Sequence, residues 1–179
     1  SSAASDVYKR QIYRRYRGEA IEKEILTKGL TLKLMPIHQV LYPRFLTKYI
    51  LCEFTAPIYI PPAESMKFYI PLPIDVAVYG YRNGSFTIID VIPIHPLYKY
   101  TLYGPPSRYG DISGVIARYC RVGSYLERPK ELEMGFCTSS IEIRNKLDKF
   151  AVVSRLLLDS TILTLFYELG SWRCCTQHI

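Results

Sequence analysis

The sequence predicts an all-β protein, a single antiparallel β-sandwich with immunoglobulin-like layering and little helix. Three observations lead there. Apolar and polar residues alternate with a period of two through most of the chain, as in LTLKL over Leu30–Leu34. Short runs rich in Ile, Val, Tyr and Phe are punctuated by Pro and Gly, a spacing that suits a sandwich of many short strands. Asn83-Gly84 lies between two such runs, and Asn-Gly supplies the two left-handed residues of a tight hairpin turn.

The chain opens on SSAASDVYKRQ, which has neither apolar period nor cap. Ser1 to Gln11 back-translates, with ordinary codons, to a transposon-type sequencing adapter read in frame. These residues are therefore read as a scar on a metagenomic gene fragment and set aside before the fold is considered. Residues 12–29 are expected to be the residual N-terminal segment of a truncated gene. Within them GEAIEKEILT, Gly18–Thr27, carries Ile21, Ile25 and Lys–Glu pairs at helical spacing, and equally suits a strand.

The sandwich is expected over 30–168. KYILCEF (Lys48–Phe54), PIYIPP (Pro57–Pro62) and KFYIPLPIDVAVYGY (Lys67–Tyr81) continue in strand composition. Pro57, Pro61, Pro62, Pro71 and Pro73 mark edge strands or strand starts, because proline donates nothing to a ladder. With a two-residue loop at Asn83-Gly84, Tyr81 faces Phe86, Tyr79 faces Ile88 and Val78 faces Ile89. Both faces of that hairpin are largely apolar, so it is expected to be covered on both sides. Further strands follow at Gly114–Val122, Ser139–Asn145, Lys149–Asp159 and Thr161–Glu168, with turn chemistry at Asn145–Asp148. Ser124–Gly135 is polar and is expected to be a connecting loop. Residues 169–179, ending CCTQHI, abandon the alternation and are expected to be an irregular or misread tail.

Composition narrows the class. The chain carries 23 basic and 16 acidic residues, a net charge of +7, and setting the scar aside leaves a net +6. That charge favours acidic partners only weakly. No apolar run approaches a membrane span, so a membrane partner is not expected and a cytoplasmic location is. Asn occurs only at 83 and 145, while prolines number 12, a thermophile-like balance. The five cysteines have no C-x-x-C spacing, which speaks against a zinc ribbon. Buried thiols are expected, with a disulfide among them as the alternative.

Three segments carry a resemblance. Ile58–Tyr79, Tyr98–Tyr119 and Ser140–Glu168 resemble an uncharacterised archaeal family, domain of unknown function 432. The most specific stretch is built on Tyr100, Tyr103, Gly104, Gly114, Arg118 and Tyr119. The resemblance runs from about Leu30 to Glu168 and implies an archaeal source. It brings no activity with it.

No nucleophile elbow, phosphate-binding loop, dinucleotide fingerprint or Cys–His pairing occurs, so no cofactor and no catalytic residue is expected. YGPPSRYGD, Tyr103–Asp111, lacks the following helix that would cradle a phosphate. Rimmed by Tyr100, Tyr103, Gly104, Arg108, Arg118 and Tyr119, this loop is the candidate binding surface for a protein or small ligand, since Tyr and Arg dominate interaction hot spots. The same tyrosines also suit sandwich packing, with Arg118 stacked or salt-bridged among them. A basic-aromatic arm, IYRRYRGE, offers Arg14, Arg15 and Arg17 to single-stranded nucleic acid as an alternative. A third possibility is a hydrolase drawing on Asp75, Asp90, His38 or His95, although both aspartates are expected at a solvated strand end.

Overall fold

A computed structural model describes residues 10–39, 46–94, 99–104, 114–168, 171 and 173–179. Strands take up 68 % of the described residues, and among them there is no α-helix. The strands are β1 (Arg10–Arg17), β2 (Ala20–Lys28), β3 (Thr31–His38), β4 (Tyr49–Ile60), β5 (Ser65–Arg82) and β6 (Ser85–Ile92), followed by β7 (Lys99–Tyr103), β8 (Val115–Val122), β9 (Phe136–Arg144), β10 (Ala151–Asp159), β11 (Leu165–Tyr167) and β12 (Cys174–Thr176). The segment that suits both helix and strand is therefore a strand, β2. Arg10 and Gln11, from the adapter-like stretch, are the first residues of β1 and pair with Lys28 and Thr27. Cys174–Thr176, within the segment expected to be irregular, forms β12.

The chain divides into two compact units, a smaller one drawn from Ser1–Met35 and Ala77–Val91 and a larger one from Pro36–Val76 and Ile92–Ile179. In the larger unit, four strands in the order β10-β4-β8-β7 make one sheet. A second sheet runs β11-β12-β9-β5-β3, with β6 paired to β5. The main core draws Ile50, Cys52, Phe54, Ile58, Ile60, Val122 and Leu158 from the first sheet and Phe68, Ile70, Leu72 and Ile141 from the second. Phe54 and Phe68 meet edge-to-face at 5.7 Å across it. Such burial is the main stabilising term, about 1.5–3 kcal/mol for each large apolar side chain.

Pairing is not antiparallel throughout, which corrects the expected single antiparallel sandwich. β4 runs parallel to β8, with Cys52 opposite Cys120, and Cys175 pairs parallel with Thr138 of β9. Being central between β10 and β8, β4 buries Ile50, Leu51 and Cys52 in succession, as strands covered on both faces do. Pro71 and Pro73 lie in the middle of β5, between β9 and β3, and not at an edge strand or strand start as expected. Ile74 donates to Gly135 on the β9 side, whereas Tyr69 donates to Tyr125 on the other. Pro71 and Pro73 share the parity of Tyr69, so their missing donors point away from β9 and cost its ladder nothing.

The hairpin forms at Asn83 and Gly84, with φ of +49° and +81°, the left-handed pair a tight turn requires. Tyr81 and Phe86, its first facing pair, hold their rings 4.8 Å apart. Coverage on both sides is corrected: Ala77 and Val78 are buried, but Phe86 and Ile88 are 49 % and 47 % exposed. The rings of Tyr81 and Phe86 meet the Lys33 ammonium, at 5.2 and 5.1 Å, in place of an apolar layer.

Candidate functional site

β7 and β8 are antiparallel neighbours, and β7 ends the four-stranded sheet. Their register sets Tyr100 opposite Arg118, Leu102 opposite Ile116 and Tyr103 opposite Val115. Because side chains alternate between faces, Tyr100 and Arg118 share one face while Tyr103 and Tyr119 share the other. The strands close on two glycines. Gly104 has φ +101°, and a Cβ at Gly114 would lie 2.9 Å from the carbonyl oxygens of Tyr103 and Gly104, so a side chain there has no room. Arg108, with the loop that carries it, lies outside the described residues.

Arg118 is not a free cation on the surface. Arg118 is 2 % exposed, and its guanidinium sits 5.6 Å from the Tyr100 ring centroid and 3.9 Å from Asp75 and donates through Nη1 to the Gln39 carbonyl. Asp75 is fully buried and accepts from the Ile94 amide at 3.3 Å and from Gln39 Nε2 at 3.4 Å. A buried charge is tolerated only when paired and hydrogen-bonded, and each of these two is what makes the other tolerable. The expectation of Asp75 at a solvated strand end is corrected accordingly. Its partners come from residues 39, 94 and 118, a convergence that spacing along the strand does not reveal.

Asp90 is corrected in the same way, within the smaller unit. It is 4 % exposed and accepts from Lys23 Nζ at 2.7 Å, Tyr13 Oη at 3.0 Å and Arg15 Nη1 at 3.3 Å. Burial first, then the bond to Asp90, push the Tyr13 phenol up to about 12. Neighbouring arginines are likewise matched: Arg14 to Glu24 at 2.6 Å and Arg17 to Glu22 at 2.6 Å. The basic arm therefore lies against carboxylates of its own hairpin. The cations beside the two carboxylates differ, Arg118 at Asp75 and Arg15 with Lys23 at Asp90.

His38 is buried, with Nε2 2.7 Å from the Leu163 carbonyl and Nδ1 without a hydrogen-bond partner among the described residues. Burial lowers its pKa from the ordinary 6.5, so the ring is neutral and Nε2–H donates. His95, the other histidine of the hydrolase alternative, lies outside the described residues. A base whose folded pKa is depressed supports the fold above its unfolded pKa. That support fades as the pH falls below about 6.5, where only the unfolded chain takes the proton. Denaturant unfolding is expected to give a lower free energy at pH 5 than at pH 7, with a shallower pH slope in His38→Gln. Equal slopes in the two proteins would remove His38 as the source.

Among the described residues no group of three or more His, Cys, Asp and Glu is arranged to hold a metal ion, and no helix is long and apolar enough to cross a membrane. Fold and site together define a nearly all-β protein of several sheets whose buried carboxylates are tied to cations in structural networks. The chain belongs to the family described as a protein of unknown function, DUF432, whose profile matches residues 6–179. That match extends beyond the stretch of the resemblance at both ends. No curated protein and no solved structure matches the chain.

Proposed function

We propose that this member of the DUF432 family is a non-catalytic binding module that takes an extended protein segment along the outer strand β7. One observation carries the reading. Tyr100, Leu102 and Ile116 are 38 %, 50 % and 50 % exposed on one face of β7–β8, at the end of a sheet, and Tyr100 rests on the buried Arg118–Asp75 pair. An outer strand offers unpaired backbone groups, and alternate side chains beside it select a partner. A rigid aromatic on a fixed cation loses little freedom on binding. In this reading Arg118 positions Tyr100, Gly104 and Gly114 close the strand ends, and Tyr103 and Tyr119 stand on the opposite face of the same two strands. The engagement of Asp75, Asp90 and His38 with internal partners supports a binding role over hydrolysis. The two facing sheets of the larger unit are taken as immunoglobulin-like layers, and the composition as that of a cytoplasmic, heat-adapted archaeal protein.

The test is selection of random displayed peptides against the full chain. Selected peptides are expected to lose about tenfold or more in affinity for Leu102→Lys or Tyr100→Ala, and none for Phe166→Ala, another exposed aromatic. Peptides insensitive to both β7 changes would overturn the reading. Salt-dependent binding of a random single-stranded oligonucleotide, weakened by Arg14→Ala and Arg17→Ala, would favour the nucleic-acid alternative instead.

A further inference from the structure

A cavity of about 600 Å³ in the larger unit is lined by three cations, Arg128, Lys130 and Arg173, against the single carboxylate of Glu131. Its wall also carries Cys174 of β12. Behind Cys174, on the neighbouring strand β9, stands Cys137, fully buried and with its sulfur 3.0 Å away in a thiol–thiol hydrogen bond. The bridge between Cys175 and Thr138 brings the two strands together at this point. Both cysteines are free thiols.

We propose that Cys174 and Cys137 are a redox-active dithiol, and that the cationic cavity binds its oxidant, an anionic low-molecular-weight disulfide. Cys174, as thiolate, attacks one sulfur of the bound disulfide. The substrate S–S bond breaks, and the first small thiolate leaves and takes a proton from water. Cys137 then gives its proton to water and attacks the Cys174 sulfur of the mixed disulfide, expelling the second small thiolate, which takes a proton from water in turn. Two protein thiols are oxidised to one disulfide, and one small disulfide is reduced to two thiols. The order of attack follows from the surroundings. When Cys174 ionises, the Cys137 S–H donates to it, which lowers the Cys174 pKa, while the same bond and burial raise that of Cys137. The accessible sulfur is the nucleophile and the buried one resolves.

A second pair shows what the cavity adds. Cys52 and Cys120 face each other across β4 and β8 with sulfurs 3.4 Å apart, and Cys52 is fully buried with its thiol raised by the bond to Cys120. Neither lines the cationic cavity, so proximity there brings no route for a charged reagent. Cys175 points to the opposite side of β12 from Cys174, as successive strand residues do.

The full chain, fully reduced, would be treated with glutathione disulfide, which is anionic, and in parallel with cystamine, which is cationic. Intact mass and peptide mapping follow the products. Glutathione disulfide is expected to react at Cys174 about tenfold faster relative to cystamine than it does at a free model thiol, from charge attraction alone. It is expected to yield the Cys137–Cys174 disulfide, and Cys137→Ala is expected to stall as a glutathione adduct on Cys174. Arg128→Ala with Arg173→Ala is expected to erase the preference for the anionic reagent. No such preference in the unaltered protein, or first modification at Cys120 or Cys175, would overturn the proposal, and neither result depends on a variant folding.

Discussion

Replacing Arg118 with methionine is expected to destabilise the protein by about 3–5 kcal/mol, the usual cost of leaving a buried charge without its opposite. For a chain of this size that corresponds to a fall of roughly 6–20 °C in melting temperature. Asp75 keeps its bonds from Ile94 and Gln39 but loses the guanidinium, and Tyr100 loses the cation beneath its ring. The double variant Arg118→Met, Asp75→Leu is expected to recover much of the loss, since well-packed apolar groups often replace a buried ion pair without penalty. A melt of the single variant within a degree or two of the unaltered protein would show that the pair is not a structural anchor. The binding test on Tyr100 would then have to be reinterpreted, because the aromatic would no longer rest on a fixed support.

Asn145 is expected to matter almost as much. Its Nδ2 amide donates to the carbonyls of Ile60, Pro61 and Lys149 at 3.0, 3.0 and 2.8 Å, and its Oδ1 accepts from the Leu147 amide at 3.0 Å. One side chain thus holds the end of β4, its own turn after β9 and the approach to β10. Asn145→Ala leaves several of these backbone groups without a partner, each worth about 1–3 kcal/mol when buried, so a loss of about 3 kcal/mol or more is expected in urea unfolding. Asn145→Asp keeps the size and removes the donors, setting a carboxylate against three carbonyl oxygens. It is expected to be worse than alanine. If aspartate proves milder than alanine, the donors are not what the side chain contributes.

These two residues mark how far the sequence is legible. Asn145 was readable as turn chemistry, because an asparagine after a strand and before a charged stretch caps its own backbone locally. The Asn83-Gly84 hairpin was readable for the same reason: both residues take the left-handed backbone that the turn demands. Strand composition was readable wherever β-branched and aromatic residues cluster. What could not be read is everything that depends on which strand lies beside which. Asp75 and Asp90 look alike on the page, yet both are buried, because cations from residues 118 and from 15 and 23 arrive beside them. The parallel pairings that set Cys52 opposite Cys120 and bring Cys174 to Cys137 follow from the strand order, which spacing along the chain does not determine. His38 meets Leu163, 125 residues away.

The strand order also has a consequence in time. β4 is complete at residue 60, but its two neighbours are not, since β8 ends at residue 122 and β10 at residue 159. At roughly 5–20 residues per second, a ribosome leaves both edges of β4 unpartnered for several seconds and one of them for roughly 5–20 s. An apolar strand waiting that long is an invitation to pair with a neighbouring nascent chain. Pro57 within β4, Pro61 and Pro62 just beyond its end, and Pro71 and Pro73 in β5 interrupt what would otherwise be continuous templates. In the finished protein they look like concessions made by the sheet. During synthesis they are its guards.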